Sequence, residues 1–136
     1  MKQNDLVIIG AGPTALTAAI YTTREDIDTV LIEKGAIGGL IATTDWVDNY
    51  PGFVEGISGL DMADRFQKQA ERFGAVIELD EVLGIKPVDK LISVSTTSGE
   101  RLAKAVLIAT GSDYKKLGIP GAVSYTHLTL PTIYSV

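Results

Sequence analysis

The sequence predicts an α/β fold: a parallel sheet grown from a strand–helix–strand unit, with a small antiparallel β-meander attached. Three observations carry this. The run "LVIIG" (Leu6 to Gly10) and the run "DTVLIEKG" (Asp28 to Gly35, the strand ending at Glu33) are short, apolar and β-branched, as strands buried on both faces are. Between them "GAGPTALTAAIYTTRE" has the composition of a helix, so a βαβ unit closes within about 30 residues. Beyond residue 74, strand-like runs follow one another with only tight turns between them.

Element by element, the first strand delivers a glycine turn, and Ala15, Leu16, Ala18, Ala19 and Ile20 seed the helix with small residues where close packing is needed. Gly35 to Gly56 reads as a loop, punctuated by Gly, Asp, Asn and Pro without a period. A loop of that length in a compact domain is functional or disordered, and Trp46, Tyr50 and Phe53 argue against disorder. These aromatics read as loop anchors, and Asp45 and Asp48 as turn-forming residues rather than a reactive carboxylate pair. "SGLDMADRFQKQAERFG" is a helix: Ser58 caps it with Asp61 in capping-box position, Met62, Phe66, Ala70 and Phe73 share a face, and Gly74 stands where a C′ glycine belongs. "AVIEL" is a strand, and "EVLGIKPV", "KLISVSTT" and "RLAKAVLIATG" form the meander, with turns at "DK" and "SGE".

Composition narrows the function classes. The chain has 136 residues, 46% of them apolar, enough for about one domain with a real core. A net charge of -5, spread without blocks, argues against a nucleic-acid partner. No apolar run approaches the roughly 18 residues of a membrane span, and the N-terminus lacks a signal-peptide pattern, so a cytoplasmic home without membrane association is expected. The absence of cysteine excludes a disulfide scaffold and thiol chemistry within this stretch. Neither a catalytic residue nor a metal site is expected.

The motif with chemistry is Gly10-Ala11-Gly12-Pro13-Thr14-Ala15, which fits G-x-G-x-x-[GA] between a strand and a helix. The first glycine permits the tight turn, the second lets backbone approach a pyrophosphate, and the third position, here Ala15, allows close helix–sheet packing. The helix N-terminus then offers unpaired N–H groups and the positive end of its dipole to the phosphates. Glu33, closing the second strand, suits ribose hydroxyls and repels a 2′-phosphate. This favours FAD or NAD over NADP and does not choose between the first two.

"VIIGAGPTALTAAIYTTRE", "IGGLIATTDWVDNYPGF" and "VLIATGSDYKKLGIPG" together resemble the N-terminal part of low-molecular-weight thioredoxin reductases, over nearly all of Leu6 to Gly121. The middle segment is the most specific. The resemblance implies a Rossmann-like FAD-binding domain, here truncated, with FAD held non-covalently. Gly10, Gly12, Pro13 and Ala15 would lie along its pyrophosphate and Glu33 on its adenosine ribose, with Lys34 beside it among the cofactor-binding residues. Gly39, Leu40, Thr44 and Asn49 would run past the ribityl chain toward the isoalloxazine, Thr110 and Gly111 would close over the pyrophosphate, and the backbone of Val82 would meet the adenine. The chain departs from the family pattern in two places: Ala15 replaces a glycine, and Leu40 stands where glutamine is common.

The resemblance further implies a homodimeric parent enzyme that carries electrons from NADPH through FAD to an enzyme disulfide and on to thioredoxin. The redox cysteines and the NADPH domain lie outside this chain, so the chain alone is expected to be inactive. Two alternatives share these motifs: a ferredoxin/flavodoxin–NADP reductase-like flavoprotein without a cysteine pair, and a non-catalytic dinucleotide-binding module or a fragment that does not fold. Residues 1–122 are read as the N-terminal part of the FAD-binding domain. Residues 123–136, "VSYTHLTLPTIYSV", resemble a translated adaptor from sequencing libraries, an artefactual tail that includes the single histidine, His127. By that reading the tail carries no structural or functional role, and Lys115 and Lys116 are a solvated face.

Overall fold

The computed structural model describes residues 2–112. Six strands and two helices follow in the order β1 (Lys2–Ile9), α1 (Pro13–Arg24), β2 (Thr29–Glu33), α2 (Gly59–Arg72), β3 (Val76–Leu79), β4 (Val82–Val88), β5 (Leu91–Thr96) and β6 (Gly99–Ile108). A 3-10 turn, Gly39–Thr43, interrupts the long connection between β2 and α2. The expected boundary after Ala122, the tail with His127, and Lys115 and Lys116 lie outside the described residues.

All six strands form one sheet in the order β3-β2-β1-β6-β5-β4. The first four run parallel and the last three pair antiparallel, with β6 belonging to both sets. The meander is therefore continuous with the parallel sheet through β6. Residues Lys2–Ile9 pair with Arg101–Ile108, while Gly99–Ala103 pair with β5 on the other side.

The apolar run of β1 is buried on both faces. Ile8 and Leu31 face the helices and pack with Ala15, Leu16, Ala19 and Ala70, all fully buried. Val7, Val30 and Ile32 face the other way and meet Val94 and Ala103, so the antiparallel strands cover the face opposite α1. Alternating small and large residues let α1 lie close to the sheet, and a fully buried side chain such as Leu16 contributes about 1.5–3 kcal/mol.

β1 begins four residues earlier than its apolar pattern suggests, at Lys2. Its polar first half is held by tertiary contacts: Arg101, 8% exposed, donates to Asn4 Oδ1 at 2.7 Å and to the Glu78 carboxylate. Burial pushes the Glu78 pKa up, but hydrogen bonds from Lys2 and Arg101 outweigh it and hold the carboxyl below its ordinary value. α2 is capped as expected, with Ser58 Oγ accepting the Asp61 N–H at 3.1 Å and Gly74 at φ +93° beyond its end.

Candidate functional site

The parallel strands β1, β2, β3 and β6 end on the same edge, and the chain leaves β1 toward β2 on one side while β6 lies on the other. This is a topological switch point, where open α/β sheets place ligands. Gly10, Glu33 and the Ala109–Gly111 turn stand at these strand ends.

Gly10 sits at φ +107°, and a β-carbon there would stand 2.4 Å from the Ala109 carbonyl oxygen. The glycine turn is thus pressed against the end of β6, which brings Thr110 beside it. Gly12 behaves differently. Its φ is -77°, and a β-carbon there would meet nothing within 4 Å, so open space lies over it.

Gly12 is the N-cap of α1, Pro13 fills the first helical position, and Ala15 is fully buried against the sheet, the close-packing task expected of the motif's third position. The Gly12 carbonyl accepts the Leu16 N–H at 2.9 Å. The N–H groups of Gly12, Thr14 and Ala15 have no protein acceptor among the described residues, and the first turn carries no acidic side chain. Free amides, a dipole end and no competing carboxylate on the helix suit a phosphate.

Glu33 is already engaged. Its Oε2 accepts the Ala11 N–H at 2.7 Å and its Oε1 the Gly35 N–H at 2.8 Å. One carboxylate therefore ties the glycine turn to the loop after β2. Each oxygen keeps a further lone pair for a sugar hydroxyl.

The paired glycines extend this cluster. The Gly38 N–H donates to the Ala11 carbonyl at 2.8 Å, and a β-carbon on Gly39 would lie 3.5 Å from Gly12 Cα. Leu40 is exposed, and its carbonyl accepts the hydroxyls of Thr43 and Thr44.

The remaining candidates stand further from this cluster. Lys34 is exposed and pairs with Glu81 at 3.9 Å. The Asp80 N–H donates to the Glu33 carbonyl at 2.9 Å, which brings the chain back beside β2 just before Val82, a half-buried residue at the start of β4. Asn49 is exposed in the loop that closes through paired bridges between Val47 and Ile57. In that loop the Trp46 indole N–H donates to Asp48 at 2.9 Å, and the Tyr50 ring lies 5.4 Å from that of Phe66, so these aromatics serve as anchors. Gly111 is exposed at φ +68°.

The sequence reading missed three backbone participants: the Ala11 amide, the Ala109 carbonyl and Gly38. Residue type says little about main-chain groups, although the Gly38-Gly39 pair signals a backbone under conformational demand.

A parallel sheet with a glycine turn, an open helix N-terminus and an acid closing the next strand defines a dinucleotide-binding α/β domain. A family model described as pyridine nucleotide-disulphide oxidoreductase matches residues 4–136, and the chain belongs to that family. The thioredoxin reductase of Bacillus subtilis is 42% identical over 120 residues, 88% of this chain and 38% of that protein. The crystal structure of Lactococcus lactis thioredoxin reductase superposes with a TM-score of 0.82 at 37% identity, covering 87% of this chain and 39% of that one. T. acidophilum thioredoxin reductase gives 0.83 at 34% identity, covering 89% and 40%. This chain thus spans about two fifths of the length of these relatives. Membership identifies FAD as the cofactor of this part of the fold. The open space over Gly12, the free amides of α1 and the lone pairs left on Glu33 fit its adenosine diphosphate half.

Proposed function

We propose that this chain is the FAD-binding segment of a thioredoxin reductase, as its relatives are named, in preference to a ferredoxin–NADP reductase-like flavoprotein or a module without catalytic context. The observation that supports this most is the junction of the glycine turn, Glu33 and the Gly38-Gly39 loop at one sheet edge. When bound, FAD would supply two-electron transfer from NADPH to an enzyme disulfide, and the dithiol so formed would reduce the disulfide of thioredoxin. The rest of that reaction belongs to a longer parent, because these 136 residues contain no cysteine.

The chain's own part is placement. Gly12, Thr14 and Ala15 direct N–H groups at the pyrophosphate, and Gly10 and Pro13 shape the turn that carries them. Glu33 accepts from the ribose, with Lys34 alongside. Gly39, Leu40, Thr44 and Asn49 line the path toward the flavin ring, Thr110 and Gly111 close over the phosphates, and Val82 lies by the adenine. Leu40 offers the ring only backbone polarity and an apolar side chain, which leaves flavin hydrogen bonding to other groups.

The parent is a cytoplasmic homodimer in this proposal. Among the described residues no helix is long and apolar enough to cross a membrane. The division at Ala122 is also part of the proposal, although the family match runs on to residue 136. Genomic DNA beyond the Ala122 codon tests it.

Titrating the purified chain with FAD tests the cofactor reading. Weak binding is expected, read as bound flavin at equilibrium in excess protein; FAD that stays free at saturating protein refutes it. NADPH-dependent reduction of DTNB by the chain alone is expected to be absent.

A further inference from the structure

The loop that carries Gly39, Leu40 and Thr44 rests on α2, and the contact is made of backbone against two small residues of that helix, Gly59 and Ala63. A β-carbon on Gly59 would fall 1.9 Å from the Ile41 carbonyl oxygen and 2.5 Å from that of Thr44. The Gly59 N–H donates to the Thr44 carbonyl at 3.0 Å. One helical turn later, Ala63 is 3% exposed, and a β-carbon on Gly38 would stand 2.5 Å from the Ala63 β-carbon. The same Gly38 donates its N–H to the Ala11 carbonyl at 2.8 Å. A continuous line of contacts therefore runs from α2 through Gly38 and Gly39 into the glycine turn at Ala11 and Gly12.

We propose that Gly59 and Ala63 are positioning residues. Their small size sets how closely the Gly38–Thr44 loop approaches the glycine turn, and so sets the width of the path toward the flavin ring. Residues at i and i+4 on a helix share a face, so the pair acts as one surface. Neither residue touches the cofactor. The inference rests on the FAD reading above, because it concerns the half of the site that distinguishes FAD from its adenosine diphosphate portion. A larger residue at 63 lifts the loop at Gly38, whose packing leaves no slack for a methyl group. The adenylate half, held by α1 and Glu33, is untouched.

The test uses the full chain carrying Ala63→Val, with Ala63→Ser as a milder variant in case the first does not fold. Ala70→Val is the control: it adds the same volume to a fully buried residue of the same helix, packed in the core under α1 rather than against the loop. Binding of FAD and of ADP is measured for each. Ala63→Val is expected to weaken FAD at least about tenfold while ADP stays within about twofold, and Ala70→Val to leave the FAD-to-ADP affinity ratio unchanged. Without ligand, the amide resonances of Gly38 and Gly39 are expected to shift in the Ala63 variants and hold in Ala70→Val. An unchanged ratio in the Ala63 variants, or the same ratio change in the control, overturns the positioning role. If the unsubstituted chain binds neither FAD nor ADP, the FAD reading fails, and the ligand-free resonances alone then decide the mechanical coupling.

Discussion

Two substitutions in one turn, Gly10→Ala and Gly12→Ala, are expected to fail in opposite ways. At Gly10 the backbone holds φ +107° and a β-carbon would overlap the Ala109 carbonyl at 2.4 Å. The conformational strain costs about 1–3 kcal/mol and the overlap, relieved only by moving β6 backbone, about 1–3 more. A total of about 2–6 kcal/mol is a large share of the about 5–15 kcal/mol that stabilises a domain. With an m-value of about 2 kcal/mol/M, the urea midpoint falls by about 1–3 M. At Gly12 the dihedral is ordinary and the space open, so alanine leaves the midpoint unchanged or raises it slightly through the unfolded state. Its methyl group instead occupies the approach to the free amides, and ADP or FAD affinity falls at least about tenfold. The assay is urea denaturation followed by circular dichroism, paired with ligand titration. Equal midpoints for the two variants, or unimpaired binding by Gly12→Ala, would show that the two glycines do not divide the work this way.

Glu33→Gln replaces an acceptor of two N–H groups with one acceptor and one donor, and so sets its NH2 against an amide. A stability loss of about 1–2 kcal/mol is expected even without ligand, read as a lower urea midpoint. Ser93 Oγ is buried without a hydrogen-bond partner among the described residues. Ser93→Ala is therefore expected to be neutral or stabilising by up to about 1 kcal/mol, and a marked loss in thermal melting would contradict this. The hydroxyls of Thr96 and Thr97 hold the Asp80 carboxyl well below its ordinary value of 3.8. A lowered folded-state pKa stabilises above the unfolded value and is lost as pH falls through the folded one. The melting temperature of the unsubstituted chain should thus drop below pH 3.8 more steeply than that of Asp80→Asn, with the two curves parallel above about pH 5.

What the sequence revealed and what it concealed follow from how local each signal is. The βαβ unit, the amphipathic α2 with its Ser58 cap and Gly74 end, and the Asp89-Lys90 turn of the meander are written in residues near one another and form where expected, while the second turn falls at Thr97-Ser98 and leaves Gly99 and Glu100 of "SGE" in β6. The first half of β1 could not be read this way. Lys2, Gln3 and Asn4 have no strand pattern, and they pair because Arg101–Ala103 and the Arg101 guanidinium, about a hundred positions away, supply the partner. The 3-10 turn at Gly39–Thr43 lies in a stretch whose composition reads as loop, since its support is a helix face rather than its own residues.

The site shows the same division. G-x-G-x-x-A announces a phosphate turn, and nothing in the pattern separates the glycine that must fit against β6 from the one that must leave room for a ligand. Only the neighbours make that distinction: a carbonyl at 2.4 Å in one case and empty space in the other. Glu33 likewise reads as a ribose acceptor from its position at a strand end. Its grip on the Ala11 and Gly35 amides depends on backbone directions that no residue type encodes. Because both bonds are made within the chain itself, no cofactor atom is needed to hold the turn that would receive the pyrophosphate. Pre-forming the site in this way removes part of the ordering cost that binding would otherwise meet. Loss of Glu33 should therefore weaken even a ligand without ribose hydroxyls, such as 2′,3′-dideoxyadenosine diphosphate. If Glu33→Gln binds that analogue as tightly as the unsubstituted chain does, the carboxylate acts on the sugar alone.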